Sequence, residues 1–580
     1  MYKNRWFILS LAIASTVTTA ADVTDSVSPE LTSMITGKQA VVANQYMVAA
    51  ANPIAVEAGY KVLKSGGSAA DALVAVQAAL GLVEPQSSGL GGGAFLVYYN
   101  AENGAITTYD GRETAPLAAR PELFQDKEGN PLKFYEAVVG GRSVGTPGTV
   151  KLLADMHEMY GKQEWATLLQ PVIELANNGF TVSERLASSI ERDKERLSRY
   201  PDTKAYFFTP DGQPLQQGDL LVNKAYGNTL KTLAKEGQEA FYNGGIAQDI
   251  VTKVQSISDN PGYLELEDFA TYKVIEREPV CAEYRQYNVC GMGPPSSGAL
   301  TLGQILGIVS HFDLKAMGAD DPSAWQIIGD ASRLAFADRG RYIADTDFVP
   351  MPDGLINKEY LAKRAALLKK GKGLKDVQAG NPPWNNRISL ADDESIELPS
   401  TTHIVIVDKQ GNIISMTSTI ENGFGSRVMS NGFLLNNELT DFSFTSHKNG
   451  YPVANRVEPG KRPRSSMTPT IVLKEDQPYM AIGSPGGSRI IGYVAQTLIA
   501  HFDWGMDIQD AINMPRMVNR FGTYDLEQGT EAVRFKPALE KMGYKVDVRD
   551  LNSGLHGVVF NDGKLTGGVD PRREGIALGE

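Results

Sequence analysis

The sequence predicts a globular α+β protein in which a helix-rich N-terminal portion precedes a strand-rich C-terminal portion. The chain has 580 residues, of which 42% are hydrophobic and 21% charged, so it can bury a large core, and the disordered and fibrous classes are excluded. Helical periodicity dominates residues 148–400, whereas β-rich runs follow from Thr401. No linker, charge block or fixed-period repeat divides the chain, which favours one large or intertwined domain.

The first predicted elements are two helices and a hairpin. Asn52-Pro53 is typical of a helix start and Gly66-Gly67 of a helix end. Ser68 and Asp71 have capping-box spacing ahead of an apolar segment that ends at Pro85, which predicts a buried second helix. Two strands, FLVYYN and AITTYDG, then follow around the turn at Asn103-Gly104.

Four further strands are predicted after Thr401. The runs THIVIVD and NIISMTSTI flank the turn at Lys409-Gln410-Gly411, and TIVL and PYMAIGS follow later in the chain. The C-terminal portion is therefore expected to supply much of the sheet structure.

The start of the chain has the layout of a secretory signal. Residues 1–21 contain Lys3 and Arg5, an apolar stretch from Trp6 to about Ile13, and small residues up to Ala21. The apolar stretch is short for an uncleaved anchor, and no later run approaches the length needed to cross a bilayer. We therefore expect a mature protein in the periplasm or outside the cell, with no membrane partner.

The charge distribution disfavours nucleic acid as a partner. The net charge is −12, and the Lys and Arg residues are scattered, whereas nucleic acids and anionic membranes require a concentrated positive surface. A small-molecule substrate fits better.

No metal or cofactor is expected. The six histidines lie far apart with no HxH or HxxxH spacing, and the two cysteines form no CxxC. Gly89, Gly91 and Ala94 match a degenerate GxGxxA, but a strand follows where a dinucleotide site needs a helix. Cys281 and Cys290 flank EYRQYNV; they could pair across a hairpin in an oxidising compartment, or they could be two buried thiols.

One motif suggests a serine hydrolase. Gly141-Arg142-Ser143-Val144-Gly145 matches the GxSxG nucleophile elbow. However, Pro147-Gly148 falls in the first turn of the helix that should follow the serine, and such short motifs recur by chance. An esterase that uses Ser143 is therefore kept as an alternative.

A second candidate nucleophile is Thr401, which opens the first β-hairpin of the C-terminal portion. A threonine hydroxyl needs a base beside it, and cleavage of the Ser400–Thr401 bond would provide one in the new α-amino group. The pKa of an α-amino group, about 8, suits proton exchange near neutral pH. Taken alone, however, a Thr-Thr pair that opens a strand is usually only a strand.

The surrounding motifs change this interpretation. The runs TTHIVIVDKQGN, MTSTI, FGSR, LLNNELTDFS, GKRPRSSMTPT and GSPGGSRI occur in this order, with SAADALVAVQ and YDGRETAP upstream. From about residue 40 to its end, the chain closely resembles the γ-glutamyltransferase (glutathione hydrolase) family of N-terminal-nucleophile hydrolases. The resemblance implies an αββα sandwich formed jointly by two self-cleavage fragments, residues 22–400 and 401–580, which remain together as a heterodimer.

The resemblance also implies a role for each site residue. The hydroxyl of Thr401 would attack the γ-amide of glutathione or a related γ-glutamyl compound, and the acyl group would pass to water or to an amino acid or peptide amine. The implied roles are: nucleophile, Thr401; support of the nucleophile, Thr419; oxyanion donors, Gly486 and Gly487; ligands of the α-carboxylate, Arg112, Ser465 and Ser466; ligands of the α-ammonium, Glu421, Glu438 and Asp441.

The chain departs from the family pattern in two respects. Glu421 and Glu438 are acids where some members carry amides, and extra negative charge favours an ammonium group. The segment 443–460 is shorter than in members that carry a lid with a shielding tyrosine, so the role of Tyr451 and the choice of acceptor stay open.

Two further alternatives are kept. One is a β-lactam acylase of the same fold, which cleaves glutaryl or adipyl side chains that lack the ammonium group. Asp441 argues against it, because a buried carboxylate with no cation opposite is costly. The other is an exported binding protein that carries peptides without turning them over.

Overall fold

Two sheets lie face to face at the centre of the protein, with a layer of helices outside each. The computed structural model describes residues 32, 37–385, 388–393, 395, 397, 398 and 400–580. The predicted signal at residues 1–21 lies outside the described residues. Among the helices that the structure describes, none is both long and apolar enough to cross a membrane.

The strands of the described residues are β1 (Val41–Ala43), β2 (Met47–Ala50), β3 (Gly93–Asn100), β4 (Ala105–Gly111), β5 (Phe180–Thr181), β6 (Leu220–Leu221), β7 (Ile275–Arg277), β8 (Val280–Tyr284), β9 (Tyr287–Gly291), β10 (Thr401–Val407), β11 (Ile413–Thr419), β12 (Met429–Ser430), β13 (Phe433–Leu434), β14 (His447–Lys448), β15 (Tyr451–Pro452), β16 (Thr470–Lys474), β17 (Gln477–Gly483), β18 (Met517–Asn519), β19 (Thr523–Glu527), β20 (Lys545–Arg549), β21 (His556–Asn561), β22 (Lys564–Val569) and β23 (Ile576–Gly579).

The α-helices are α1 (Pro53–Lys64), α2 (Ala69–Val83), α3 (Phe134–Val138), α4 (Thr149–Tyr160), α5 (Trp165–Asn178), α6 (Glu184–Leu197), α7 (Pro201–Phe207), α8 (Lys224–Glu236), α9 (Glu239–Tyr242), α10 (Gly245–Gln255), α11 (Leu266–Thr271), α12 (Gly298–Val309), α13 (Leu314–Met317), α14 (Pro322–Tyr342), α15 (Lys358–Ala365), α16 (Ile490–Phe502), α17 (Ile508–Asn513) and α18 (Lys536–Lys541). Short 3₁₀ turns lie at Glu438–Asp441, Gly487–Arg489 and Glu531–Phe535.

The two central sheets have seven strands each among the described residues. One has the order β23-β2-β10-β11-β3-β4-β7 and the other β1-β22-β21-β17-β16-β9-β8. Apolar side chains of both sheets, including Val405, Val97, Ile471 and Val558, form one buried cluster between them. Helices α1, α2 and α4 cover the outer face of the first sheet, and α12, α14 and α16 cover that of the second. This arrangement is the predicted αββα sandwich.

Both sheets combine strands from the two sides of Thr401. Strands β10 and β11 lie between β2 and β3, and β16 pairs with β9 in the other sheet. Neither sheet could therefore form from one portion of the chain alone. The fold is intertwined, as the absence of a linker in the sequence predicts.

The first predicted helices are confirmed, and so are their caps. Asn52 accepts a hydrogen bond from the Ile54 amide at the start of α1, and Ser68 and Asp71 form the capping box of α2. Every residue of α2 is buried, because the helix packs between the first sheet and the outer helices. The predicted strands on both sides of Asn103-Gly104 are β3 and β4.

The cysteines lie opposite each other on the hairpin of β8 and β9. Cys281 and Cys290 form a register pair and are joined by a disulfide bond. The structure therefore selects the disulfide from the two possibilities that the sequence leaves open.

Candidate active site

Thr401 is the first residue of β10, a central strand of the first sheet, and it lines a small pocket at the end of the sandwich. The pocket is lined by Arg112, Glu397, Leu398, Thr401, Thr419, Glu421, Glu438, Asp441, Ser465, Ser466, Met467, Gly487 and Ile490. Nine of the residues predicted for the site are in this set. Gly486 and Ser400 directly precede two of its members, so one pocket brings together predicted residues that lie as far apart in the chain as Arg112 and Gly487.

The hydroxyl of Thr419 connects Thr401 to the peptide bond that precedes it. The register of β10 and β11 pairs Thr401 with Thr419, which places their Oγ1 atoms 3.3 Å apart. The Thr419 hydroxyl donates to the carbonyl oxygen of Ser400 at 2.8 Å and accepts the amide of Glu421 at 2.8 Å. Thr419 thus polarises the carbonyl that the Thr401 hydroxyl would attack during self-cleavage.

The peptide groups beside Thr401 are held by further contacts. Arg573 donates to the carbonyl oxygen of Thr401 at 3.0 Å, and the Ser400 hydroxyl donates to the carbonyl of Gln86 at 2.7 Å. Thr401 is only 4% exposed. The bond between Ser400 and Thr401 is therefore fixed from both sides in a dry environment, which favours an intramolecular attack.

The turn of Gly486 and Gly487 joins β17 to α16 beside this bond. The φ angles of the two glycines are 141° and 57°, values that favour residues without a side chain. A Cβ atom on Gly486 would lie 2.8 Å from the ring of Tyr493. Glycine at this position is therefore required both by the backbone conformation and by the close approach of α16.

The acidic side of the pocket, defined as Glu113, Glu421, Glu438 and Asp441, surrounds Arg112. The Arg112 guanidinium forms ion pairs with Glu438 and Asp441, and all three groups are buried. Its Nε and Nη2 atoms also donate to the carbonyls of Pro463 and Arg464. Four of its five N–H groups therefore have acceptors within the chain.

The carboxyl groups of the acidic side have raised pKa values and therefore ionise less readily than usual. Burial raises the pKa values of Glu421, Glu438 and Asp441 well above the usual range, and their mutual repulsion adds to the effect. Burial also raises the pKa of Glu113, to about 7, against the opposing effect of Arg112. One oxygen each of Glu438 and Asp441 has no hydrogen-bond partner among the described residues. An ammonium group would donate hydrogen bonds to these oxygens, and its positive charge would stabilise the ionised carboxyl groups.

Local backbone geometry helps to place two of these acids. Glu421 has a φ of 76°, an uncommon value for a residue with a side chain, where the chain turns after β11. Gly93 leaves room for Glu113, because a Cβ atom on Gly93 would lie 2.3 Å from the Glu113 carboxylate.

The basic side of the pocket, defined as Arg339, Arg464, Ser465 and Ser466, consists of two serines that line the pocket and two arginines beside them. Arg339, on α14, donates from Nη2 to the Ser466 hydroxyl at 2.8 Å and forms an ion pair with Glu397. Burial and the neighbouring Arg464 charge lower the pKa of Arg339 to about 10. The two guanidinium groups of this side are each paired with a buried carboxylate, Arg339 with Glu397 and Arg464 with Asp393.

Sequence reasoning missed four of these groups, one of which, Arg464, directly precedes the predicted Ser465. Glu113 adjoins Arg112 in the quoted run DGRETAP and could have been found there, and Glu397 lies four positions before Thr401. Arg339 is one of several arginines on a long helix, and its sequence neighbourhood gives no signal. Only the tertiary packing of α14 brings it to the pocket.

Ser143 lies outside this pocket and lacks the surroundings of a nucleophile. Its hydroxyl donates to the carbonyl of Val138 at 2.6 Å, its carbonyl accepts the Leu439 amide, and it is fully buried. The helix that follows begins at Thr149 rather than directly after the serine. The GxSxG match is a structural loop that supports the turn of Glu438–Asp441.

Tyr451 lies at the end of the small hairpin of β14 and β15 and is 52% exposed. It does not line the pocket. As for metals, the part of the chain that the structure describes has no group of three His, Cys, Asp or Glu side chains placed to bind an ion.

The fold is the αββα sandwich of the N-terminal-nucleophile hydrolases. A profile described as gamma-glutamyltranspeptidase matches residues 55–580, so the chain belongs to this enzyme family. It is 37% identical to a glutathione hydrolase proenzyme of Bacillus subtilis (strain 168), over 93% of this chain and 92% of the relative. It is also 37% identical to a glutathione hydrolase proenzyme of Escherichia coli (strain K12), over 91% of each.

Similarity to solved structures extends across the whole sandwich. The crystal structure of a cephalosporin acylase from Bacillus halodurans matches with a TM-score of 0.82 and 26% identity, over 94% of this chain and 97% of that chain. The same fold is thus present in proteins described by two activities, and the pocket must discriminate between them.

Proposed function

We propose that the chain is a proenzyme that cleaves itself between Ser400 and Thr401 and then hydrolyses or transfers γ-glutamyl groups. The observation that carries the proposal is the chain of contacts from the Thr401 hydroxyl through Thr419 to the carbonyl of Ser400. The fragments would be residues 22–400 and 401–580, held together as a heterodimer by the shared sheets.

Self-cleavage would first replace the amide bond before Thr401 with an ester and then hydrolyse that ester. Thr401 Oγ1 attacks the carbonyl carbon of Ser400, the amide nitrogen of Thr401 leaves and takes up the hydroxyl proton, and an ester links the two residues. Water then hydrolyses the ester, which leaves a carboxylate on Ser400 and a free hydroxyl and amine on Thr401. Thr419 stabilises the negative charge that develops on the Ser400 oxygen.

Turnover reuses the same hydroxyl. The α-amino group of Thr401 accepts the hydroxyl proton while Oγ1 attacks the γ-amide carbonyl of the donor. The amide groups of Gly486 and Gly487 would stabilise the oxyanion. The amine of the donor leaves with the proton, and water or the amine of an amino acid or peptide then takes the γ-glutamyl group.

The charges of the pocket support a donor that carries an ammonium group and a carboxylate. Glu421, Glu438 and Asp441 would bind the α-ammonium, since all three carboxyl groups are buried and one oxygen each of Glu438 and Asp441 has no hydrogen-bond partner among the described residues. Arg112, Ser465 and Ser466 would bind the α-carboxylate. A glutaryl side chain, such as an acylase of this fold cleaves, has no ammonium group and would leave one oxygen each of Glu438 and Asp441 without a hydrogen-bond donor from the described residues, which is unfavourable.

Two features of the chain are consistent with export. Residues 1–21 have the layout of a secretory signal, and the disulfide of Cys281 and Cys290 is typical of an oxidising compartment. We therefore propose that the enzyme acts in the periplasm or outside the cell.

The test is a denaturing gel with N-terminal sequencing of the purified protein, together with assays of γ-glutamyl-p-nitroanilide cleavage. We expect two fragments, the smaller beginning Thr-Thr-His-Ile. Thr401→Ala should remain a single chain and lose at least about 1,000-fold in activity, the scale observed when a covalent nucleophile is removed.

The matched control is Ser143→Ala, which removes the other candidate hydroxyl. It should still yield two fragments and turn over the donor. A single chain that loses activity only in Ser143→Ala would instead support the esterase, and an intact chain that binds peptides without cleaving them would support a binding protein.

A further inference from the structure

A second cavity lies between α3, α6 and the loop that contains Arg142. Its volume is about 410 Å³, and the residues that line it include Tyr135, Arg142, Arg196, Arg199, Asp259 and Asn260. Of the described residues, none lines both this cavity and the pocket of Thr401. We call it the arginine cavity, and its volume is within the range of small-molecule sites.

Arg142 brings an unpaired positive charge to the arginine cavity. Its guanidinium donates to the carbonyl oxygen of Leu123 at 3.2 Å, which is its one hydrogen bond among the described residues. Its Nε atom is buried and has no acceptor among them, and none of their carboxylates forms an ion pair with it. Because a partly buried charge without a counter-charge is unfavourable, an anion in the cavity would stabilise this side chain.

Two further arginines line the cavity, and their counter-charges are limited. Arg196 pairs with Asp193, but the buried Arg427 pairs with the same carboxylate. Arg199 has Asp259 as its partner. Together with the unpaired arginine, four guanidinium groups therefore share these two carboxylates.

Glu136 does not change this balance. It also lines the cavity, but it is exposed, and its carboxylate lies 3.9 Å from Nζ of Lys133. Because the two charges of this exposed pair cancel, two guanidinium charges remain without a counter-charge. The arginine cavity therefore suits a ligand with two negative charges.

The guanidinium groups are held in place by the surrounding chain. The side-chain amide of Asn260 donates to two backbone carbonyls a few positions before Arg142, and its own backbone carbonyl accepts the amide of Gly141 at 2.7 Å. The guanidinium carbon of Arg196 lies 3.6 Å from the centre of the Tyr135 ring. Stacking uses the face of a guanidinium and leaves its N–H edge free for an anion. Such preorganisation lowers the entropy cost of binding.

We propose that the arginine cavity is a binding site for a small dianion, such as a phosphate or a dicarboxylate, held by Arg142 and Arg196. Both classes of anion present pairs of oxygens that match the N–H edge of an arginine. The site is separate from the pocket of Thr401, so binding there is measured without a donor and does not depend on the proposed function.

The first experiment measures binding to the purified wild-type protein by isothermal titration calorimetry. Inorganic phosphate and succinate are titrated separately at pH 7.5, where both are largely dianions. At least one should bind with a Kd of about 0.1–1 mM, and the tighter of the two identifies the class of ligand. If neither anion binds with a Kd below about 10 mM, the inference is overturned.

The second experiment locates the bound anion. Arg142→Gln should raise Kd at least about tenfold, because hydrogen bonds to a charged group are lost. The matched control is Arg534→Gln, which removes one positive charge from an exposed pair with Asp320 and should leave Kd within about twofold. Thermal unfolding of each variant without the anion separates a loss of binding from a loss of folding.

A further variant tests the cavity without altering the loop of Arg142. Arg196→Lys keeps the positive charge but loses the planar edge, and it should raise Kd by about threefold. Equal Kd values in the wild-type protein, Arg142→Gln and Arg196→Lys would place the anion elsewhere and overturn the inference.

Discussion

The acidic side of the pocket and its basic side differ in how far the chain satisfies them before cleavage. On the acidic side, oxygens of Glu438 and Asp441 have no hydrogen-bond partner among the described residues. On the basic side, Arg339 already holds a carboxylate, that of Glu397. The acidic side therefore keeps unsatisfied acceptors, whereas the basic side is already neutralised by a carboxylate of the chain itself.

The largest expected effect is a loss of kcat/KM in Asp441→Asn, a variant of the acidic side alone. With one carboxylate removed, kcat/KM for γ-glutamyl-p-nitroanilide should fall by about 100-fold, because a hydrogen bond to a charged group contributes about 1.5–3 kcal/mol. Glutaryl-p-nitroanilide, which lacks the ammonium, should change by less than about threefold in the same variant. Equal losses on both donors would show that Asp441 positions Arg112 and does not bind the ammonium.

A smaller effect is expected in the free energy of unfolding of the protein as a function of pH, measured without a donor. An acid whose folded pKa is raised stabilises the fold fully below its unfolded pKa and loses that contribution as pH rises through the folded pKa. For Glu113 this window runs from about 4.3 in the unfolded chain to about 7 in the fold. Between pH 5 and 8 we expect a loss of about 1–3 kcal/mol.

The measurement is thermal unfolding of Thr401→Ala, which should remain a single chain, with and without Glu113→Gln. The double variant should lose less stability across this pH range, because the neutral amide has no proton to release. Parallel pH curves for the two proteins would contradict a raised pKa at Glu113. Carboxyl groups with lowered pKa values, such as Glu397, are ionised throughout the range and do not contribute to the slope.

The smallest effect is expected at Tyr451, which belongs to neither side. Because its ring is exposed and does not line the pocket, Tyr451→Ala should change kcat/KM for the γ-glutamyl donor by less than about twofold, as for surface substitutions in general. A loss above tenfold, measured with the processed enzyme, would show that the hairpin closes over the site after cleavage.

Much of the fold could be predicted from local sequence signals. The cap at Asn52, the capping box at Ser68 and the strands on both sides of Asn103-Gly104 are all present in the structure, because caps, turns and periodicity depend on residues near one another. The pairing of Cys281 with Cys290 could not be decided from spacing alone, since it depends on the register of a hairpin.

Motif spacing also predicted most of the residues of the pocket, although the same kind of evidence gave a second candidate nucleophile at Ser143, outside the pocket. A short motif can specify a turn of the backbone, whereas a nucleophilic hydroxyl also needs suitable hydrogen-bond partners in the folded protein. Among the described residues, the hydroxyl of Ser143 has one partner, the carbonyl of Val138, whereas the hydroxyl of Thr401 contacts Thr419, which in turn donates to the carbonyl of Ser400.

The sequence by itself determined the fold class, the family and the residue types of the site, because each depends on patterns within short segments. Only the tertiary structure decided how the charges are shared among them. Arg112 is surrounded by acids that lie more than 300 positions later in the chain, and Arg339 reaches Glu397 only because α14 packs against that segment. Burial then sets the pKa values of these groups, and burial is a property of the whole fold.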